Sequence, residues 1–136
     1  MIPVPLSSLG LIFLGGGLGA MCRFLTGHWV NKAVPGPGFP WGTMAANVIG
    51  SFLIGAMMML TIEHLGESRT RLLAITGFLG GYTTFSAFSF EVSEMLIDKR
   101  WGAAGLYAGG SVALCVAATF AGLFAVVGIL RLAGGR

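Results

Sequence analysis

Residues 80–88 read Gly80-Gly81-Tyr82-Thr83-Thr84-Phe85-Ser86-Ala87-Phe88, in the middle of a segment that is otherwise apolar. Glycines and hydroxyl side chains work against a regular helix. A backbone that unwinds in a membrane needs protein or a water-filled cavity around it, because lipid offers no hydrogen bonds. Broken helices near the bilayer midplane form the ion sites of many transport proteins. We therefore predict that this segment is broken at the midplane and contributes to a functional site.

The composition places almost the whole chain in a membrane. Of its 136 residues, 55% are hydrophobic and only 10% are charged, whereas a soluble domain carries about 25% charged residues. Four apolar stretches, residues 9–30, 41–62, 72–97 and 102–130, each reach the ~20 residues that cross a bilayer. The sequence predicts an all-α membrane protein, a single domain of four transmembrane helices with no extramembrane domain.

The positive charges are divided almost evenly between the two sides of the membrane. With four spans, one side carries Arg69, Arg71, Arg131 and Arg136, and the other carries Lys32, Lys99, Arg100 and, in the outer half of the first span, Arg23. An excess of Lys and Arg normally fixes orientation. Either a small bias suffices here and the chain has one orientation, or the chain inserts both ways and forms an antiparallel homodimer. The charges are too dispersed for a nucleic-acid surface.

Small residues four apart recur along the helices. Examples are the pairs Gly15 and Gly19, Ser51 and Gly55, and Gly105 and Gly109. Such stripes let helices approach closely in lipid. They predict a tightly packed bundle or an oligomer and carry no information about chemistry.

Polar side chains form a stripe on the second span. Thr43, Asn47 and Ser51 recur every four residues and therefore share one helical face. The Asn47 amide can form a hydrogen bond between helices, or it can donate to an anion that passes along a pore. On the fourth span, Tyr107 and Ser111 can continue this stripe.

The second half of the third span offers groups of both signs. It is predicted to begin near Thr84, so that its free N–H groups point into the midplane, while carbonyls left by the first half can coordinate a small cation. Phe85 and Phe88 lie on one face, with Ser86 beside them. Such a pair is usually packing, but ring edges are positive, and two edges facing a narrow pore would hold a small anion weakly enough to release it.

Ionisable residues within the spans are few. Arg23 either anchors the first span at the interface or attracts an anion into a vestibule. Glu91 and Glu94 are interface residues or partners of Arg23 or Lys99, and the sequence does not decide between these. No nucleophile–base arrangement or metal-ligand cluster is apparent, so we predict that the protein is not an enzyme.

Three segments resemble the CrcB/Fluc family of small bacterial fluoride channels. They are Gly15-Gly16-Gly17-Leu18-Gly19-Ala20-Met21-Cys22-Arg23-Phe24, Gly42-Thr43-Met44-Ala45-Ala46-Asn47-Val48-Ile49-Gly50-Ser51-Phe52, and Gly77-Phe78-Leu79 continuing through residues 80–88. Their order, their spacing and the four-span plan agree with the family, so the resemblance covers essentially the whole chain.

The resemblance implies a passive fluoride channel of the bacterial inner membrane, an antiparallel dual-topology homodimer with two pores. It implies a central structural Na⁺ at the dimer interface, held by the backbone carbonyls of Gly80 and Thr83. The implied pore positions are Thr43, Asn47, Phe85, Ser86, Phe88, Tyr107 and Ser111. Ala87 and Cys115 depart from the family, where Thr and Ser are common, and thin the hydroxyl lining.

Two other classes stay open at the level of sequence. A small dual-topology secondary transporter, exporting drugs or cations, would also have balanced loop charges, but it usually carries a buried Glu in its first span, which here has no acidic residue. A purely structural membrane subunit would use its glycines for packing and would move no ion.

Overall fold

The computed structural model describes residues 5–34, 36, 38–60 and 69–134. Within them, four helical segments are long and apolar enough to cross a membrane: Leu6–Ala33, Trp41–Met58, Arg69–Ile97 and Trp101–Ala133. This confirms the predicted all-α, four-span architecture. Residues 61 and 62 of the predicted second span, and Arg136 of the charge comparison, lie outside the described residues.

The helices follow the apolar runs of the sequence. Helix α1 covers Leu6–Ala33 and ends just before a Pro-Gly segment, which cannot continue a helix; α2 covers Trp41–Leu60. The third span consists of α3 and α4. Helix α3 has three successive parts, Arg69–Arg71, the π-helical Leu72–Leu79 and Gly80–Tyr82, and α4 covers Phe85–Ile97. Helix α5 covers Trp101–Gly134.

Two extended residues separate α3 from α4. Thr83 has φ −87° and ψ 155°, and Thr84 has φ −150° and ψ 119°. The Thr84 hydroxyl accepts a hydrogen bond from the Ala87 N–H at 3.1 Å and so caps the start of α4. The glycines before this point remain helical, so the irregular segment is shorter than the glycine-rich sequence suggested. Its depth in the bilayer stays a prediction.

Glycines bring the helix backbones into direct contact. A Cβ on Gly15 or Gly19 of α1 would collide with backbone of α3, and a Cβ on Gly55 of α2 would collide with the Thr119 carbonyl of α5. These positions therefore pack as the small-residue stripes predict. A Cβ on Gly105, by contrast, would meet open space, so that stripe faces away from the described part of the chain.

The outward faces of the bundle are strongly apolar. Phe13 is 80% exposed, Ile97 is 78% exposed and Leu132 is 84% exposed. Helices α2, α4 and α5 share a cluster of buried hydrophobic residues that contains Met95 and the fully buried Tyr107. Exposed apolar surface of this extent needs lipid or another protein chain to cover it.

Candidate functional site

The Asn47 side chain joins α2 to the extended segment of the third span. Its Nδ2 donates to the Thr84 carbonyl at 3.0 Å, and its Oδ1 accepts from the Thr84 N–H at 2.8 Å. One amide thus satisfies both polar groups of a buried residue that has left the helix. The sequence left two roles open for Asn47, a hydrogen bond between helices and donation to a passing anion. The contact with Thr84 is of the first kind. This contact uses one of the two Nδ2 hydrogens, and the second could donate to an anion in the adjoining space.

The extended segment also changes the hydrogen bonding of two backbone carbonyls, those of Gly80 and Thr83. In a continuous helix, the Gly80 carbonyl would accept from the N–H of Thr84, and the Thr83 carbonyl from that of Ala87. Here the first N–H donates to Asn47 and the second to the Thr84 hydroxyl. Gly80 and Thr83 also line one cavity. These two carbonyls have therefore lost their usual helical donors next to an open space.

Phe85 and Phe88 are neighbours on α4. Their ring centroids are 5.3 Å apart with the planes tilted by 45°, and Phe88 lies at the same distance from the Tyr107 ring. Phe88 is half-buried, whereas Phe85 is 76% exposed. The structure thus brings the predicted aromatic pair together, and within one chain the outer ring has an uncovered face.

Six of the predicted site residues share one open cavity of about 470 Å³. It lies between α2, the third span and α5. The six are Asn47, Gly80, Thr83, Phe85, Phe88 and Ser111. We call this cavity the central groove. It joins four of the seven predicted pore residues and both predicted cation ligands in one space, although they come from three spans.

Ser111 is one of two buried polar residues that line the central groove, the other being Thr84. It is only 4% exposed, and its hydroxyl has no hydrogen-bond partner among the described residues. An unsatisfied buried hydroxyl costs about 1–3 kcal/mol. A polar species that enters the groove would remove this cost, so Ser111 favours occupation of the groove by a hydrogen-bonding guest.

Thr43 and Tyr107 lie outside the central groove and meet at a carboxylate. Thr43 Oγ1 donates to Glu91 Oε1 and the Tyr107 hydroxyl donates to Glu91 Oε2, each at 2.6 Å. Glu91 therefore sits between two hydroxyls, an arrangement that sequence reasoning missed when it considered Arg23 or Lys99 as its partners. A signal was present: Glu91 follows Phe88 by three residues and so shares its helical face.

Ser86 and Arg23 are the two remaining predicted residues. Ser86 is exposed at the start of α4, and its hydroxyl is 3.1 Å from the Thr84 hydroxyl. Arg23 is partly buried on α1 and is absent from the lining of the central groove. Its predicted role as a vestibule or anchoring residue stays a prediction.

A family of known proteins matches most of the chain. The family described as "CrcB-like protein, Camphor Resistance (CrcB)" matches residues 10–123, most of the chain. The chain belongs to the CrcB family. This confirms the resemblance drawn from the three sequence segments.

Several curated relatives carry the name "Fluoride-specific ion channel FluC". The one from Rhizobium etli is 46% identical over 114 residues, which cover 83% of this chain and 90% of the relative. The one from Phenylobacterium zucineum is 46% identical over 121 residues, covering 87% and 94%, and that from Agrobacterium fabrum is 41% identical over 117 residues, covering 85% and 93%. Together with the four spans, membership of this family indicates a multi-pass membrane protein.

Proposed function

We propose that this protein is a fluoride-selective passive ion channel that exports cytoplasmic fluoride and so lowers its toxicity. The observation that carries the proposal is the central groove, whose lining combines the Asn47 amide, the Phe85 and Phe88 rings and the Ser111 hydroxyl, which has no partner in the part of the chain that the structure describes. These groups offer N–H and O–H donors and positive ring edges without a full positive charge. The names of the relatives support fluoride as the anion.

A lining without full charges suits conduction. An ion must bind well enough to enter and weakly enough to leave. A cationic side chain in the groove would hold an anion too firmly, whereas ring edges and single donors give several weak contacts in sequence. Selectivity over chloride would come from the width between the two rings and from partial replacement of the fluoride hydration shell by these donors.

The driving force requires no coupled reaction. Fluoride enters a cell as HF, dissociates at the higher internal pH and is trapped as the anion. An inside-negative potential contributes about 2.3 kcal/mol per charge per 100 mV to its exit through a channel. A passive channel in the bacterial inner membrane would therefore suffice.

An antiparallel homodimer with two pores would complete the groove. The sequence supports such a dimer through the near-equal division of Lys and Arg between the two sides of the membrane. The structural support is the open groove itself, with Phe85 76% exposed on one chain, and the uncovered Gly105 face of α5. A second copy covering these surfaces would turn a groove into an enclosed path, one on each protomer.

A structural Na⁺ at the dimer interface is compatible with the two released carbonyls. Gly80 and Thr83 offer oxygen ligands without a net charge, and both line the groove. Among the described residues, no group of three or more His, Cys, Asp or Glu side chains could hold a metal ion. Backbone oxygens from two protomers would therefore hold the cation, whose positive charge would fix the packing of the interface.

The second candidate is a small coupled transporter that exports drugs or cations. One observation favours it: Glu91 is a partly buried carboxylate inside a span, and such groups relay protons in transporters. Its two short hydrogen bonds to Thr43 and Tyr107 also suit a fixed structural role. Flux that depends on an imposed proton gradient would favour the transporter.

The decisive experiment is anion efflux from liposomes that contain the purified chain. Fluoride and chloride are compared in the wild type, in Phe85→Ile and in Asn47→Asp. Matched controls are Phe90→Ile, an exposed ring on the same helix that does not line the groove, and Asn31→Asp, which keeps an acceptor for the Gly42 N–H.

The expected result is rapid fluoride-selective efflux that falls in the two groove variants and persists in both controls. Efflux without a proton gradient would exclude obligatory coupling. A well-folded wild-type protein that passes no fluoride would overturn the proposal.

A further inference from the structure

Two loops on the same side of the bundle are joined by a hydrogen bond. The connection between α1 and α2 contains Gly38, and the turn between α4 and α5 contains Arg100. The Arg100 guanidinium donates from Nη1 to the Gly38 carbonyl at 2.9 Å, although the two residues are 62 positions apart. We call this contact the loop latch.

The latch depends on glycine at position 38 for two reasons. Gly38 has φ +72°, a conformation that side chains rarely adopt. A Cβ there would also stand 2.6 Å from Arg100 Nη1 and 3.3 Å from its Cζ. The guanidinium therefore occupies the space that any side chain at position 38 would need.

The residue after the latch connects it to the interior. Phe39 lies with its ring 4.3 Å from the Trp41 ring and 5.5 Å from the Tyr107 ring, nearly perpendicular to the latter at 79°. A series of five neighbouring rings therefore runs from the central groove to the loop, in the order Phe85, Phe88, Tyr107, Phe39 and Trp41. Phe39 is thus a loop residue that packs on Tyr107.

The middle ring of the series, Tyr107, makes a polar contact. The Tyr107 hydroxyl donates to Glu91, and a second cavity of about 340 Å³ opens beside that carboxylate. Its lining includes Glu91, Phe39, Gly38 and Arg100. The latch and the carboxylate therefore border the same opening.

We propose that Arg100 is a positioning residue for fluoride passage: through Gly38 it fixes Phe39 against the ring of Tyr107. The Tyr107 hydroxyl is then held toward Glu91, which lines the second cavity. This inference rests on the proposed function, because it assigns the latch to anion flux. A different role for Arg100, attraction of anions by its charge alone, would need neither Gly38 nor Phe39.

The test combines two readouts on the full chain in liposomes. Fluoride efflux is measured in Arg100→Ala, Gly38→Ala and the double variant, and amide hydrogen exchange is followed over residues 38–44. Each single variant is expected to slow efflux about fivefold, which is ~1 kcal/mol at 1.4 kcal/mol per factor of ten, and to speed exchange in this segment. The double variant is expected to be no slower than the slower single variant, because removing the guanidinium removes the collision with the new Cβ.

Two controls separate positioning from charge. Lys99→Asn removes one positive charge from the same turn and tolerates the left-handed backbone at φ 59°; it is expected to retain wild-type flux. Phe39→Tyr keeps the ring and is expected to retain flux, whereas Phe39→Ala is expected to slow it. Unchanged exchange in α5 verifies that each variant is folded.

Three results would overturn the proposal. Slow efflux in Arg100→Ala with normal efflux in Gly38→Ala would assign Arg100 a charge effect only. Faster exchange over residues 38–44 with normal efflux would make the latch structural. Additive losses in the double variant would show that the two residues act separately. A wild-type protein without fluoride flux would instead overturn the proposed function itself, before any variant is compared.

Discussion

Replacing Asn47 by alanine should be unusually costly for a single amide. Thr84 is 8% exposed, and its N–H and C=O both bond to this side chain. Leaving a buried polar group unsatisfied costs about 1–3 kcal/mol, so the loss of both partners should lower the free energy of unfolding by about 2–6 kcal/mol. Asn31 is the matched comparison, because it makes one bond, to the Gly42 N–H at 3.0 Å, from an exposed side chain.

The assay is thermal unfolding of the purified protein in detergent, followed by tryptophan fluorescence. For a chain of this length each kcal/mol shifts Tm by roughly 3–5 °C. Asn47→Ala should therefore lower Tm by about 6 °C or more. Asn31→Ala should lower it by less, since a typical single hydrogen bond contributes about 0.5–1.5 kcal/mol. Equal shifts in the two variants would refute the reasoning that Asn47 holds the extended segment in place.

Three further changes test other parts of the structure. Tyr107→Phe removes the donor to Glu91 Oε2; fluoride efflux should slow about tenfold, which corresponds to about 1.4 kcal/mol, and unchanged efflux would show that this pair does not contribute to the path. Gly19→Ala introduces a Cβ against the backbone of α3 and should destabilise the protein by about 1–3 kcal/mol, whereas Gly17→Ala, which faces open space, should not; equal Tm values would contradict the packing described for α1. Thr84→Val removes the hydroxyl that caps α4, at a cost of about 1 kcal/mol, and Thr84→Ser should restore most of it; failure of serine to rescue Tm would argue against the cap.

The four spans were predictable because bilayer thickness converts directly into a length of apolar sequence. The proximity of Phe85 and Phe88 was also predictable, since three residues on a helix return to the same face. The stripe at Gly15 and Gly19 was identified as a contact surface, but its partner, α3, was not. Sequence periodicity indicates which face of a helix is packed. It does not indicate which neighbouring helix packs against that face.

The contacts between spans account for most of what the sequence left open. For Glu91 the sequence suggested the cationic side chains of Arg23 or Lys99 as partners, because opposite charges attract. The fold instead places it between Thr43 and Tyr107, on α2 and α5, at distances in sequence of 48 and 16 residues. The interruption was expected within residues 80–88, glycines included, with the second half of the span beginning near Thr84. It falls at Thr83 and Thr84, because a capping hydroxyl and the Asn47 amide stabilise the extended backbone there, and glycine alone supplies neither.

The pairing of Asn47 with Thr84 also has a consequence for biogenesis. The ribosome makes the chain from its N-terminus, so the amide is synthesised 37 residues before the backbone groups that it satisfies. When the third span leaves the insertion machinery, the second span is already present. The Thr84 N–H and C=O can then bond to the Asn47 amide at once. Reversing the order of these two spans by circular permutation would leave Thr84 without that template during insertion, and the yield of inserted protein would measure how much the order matters.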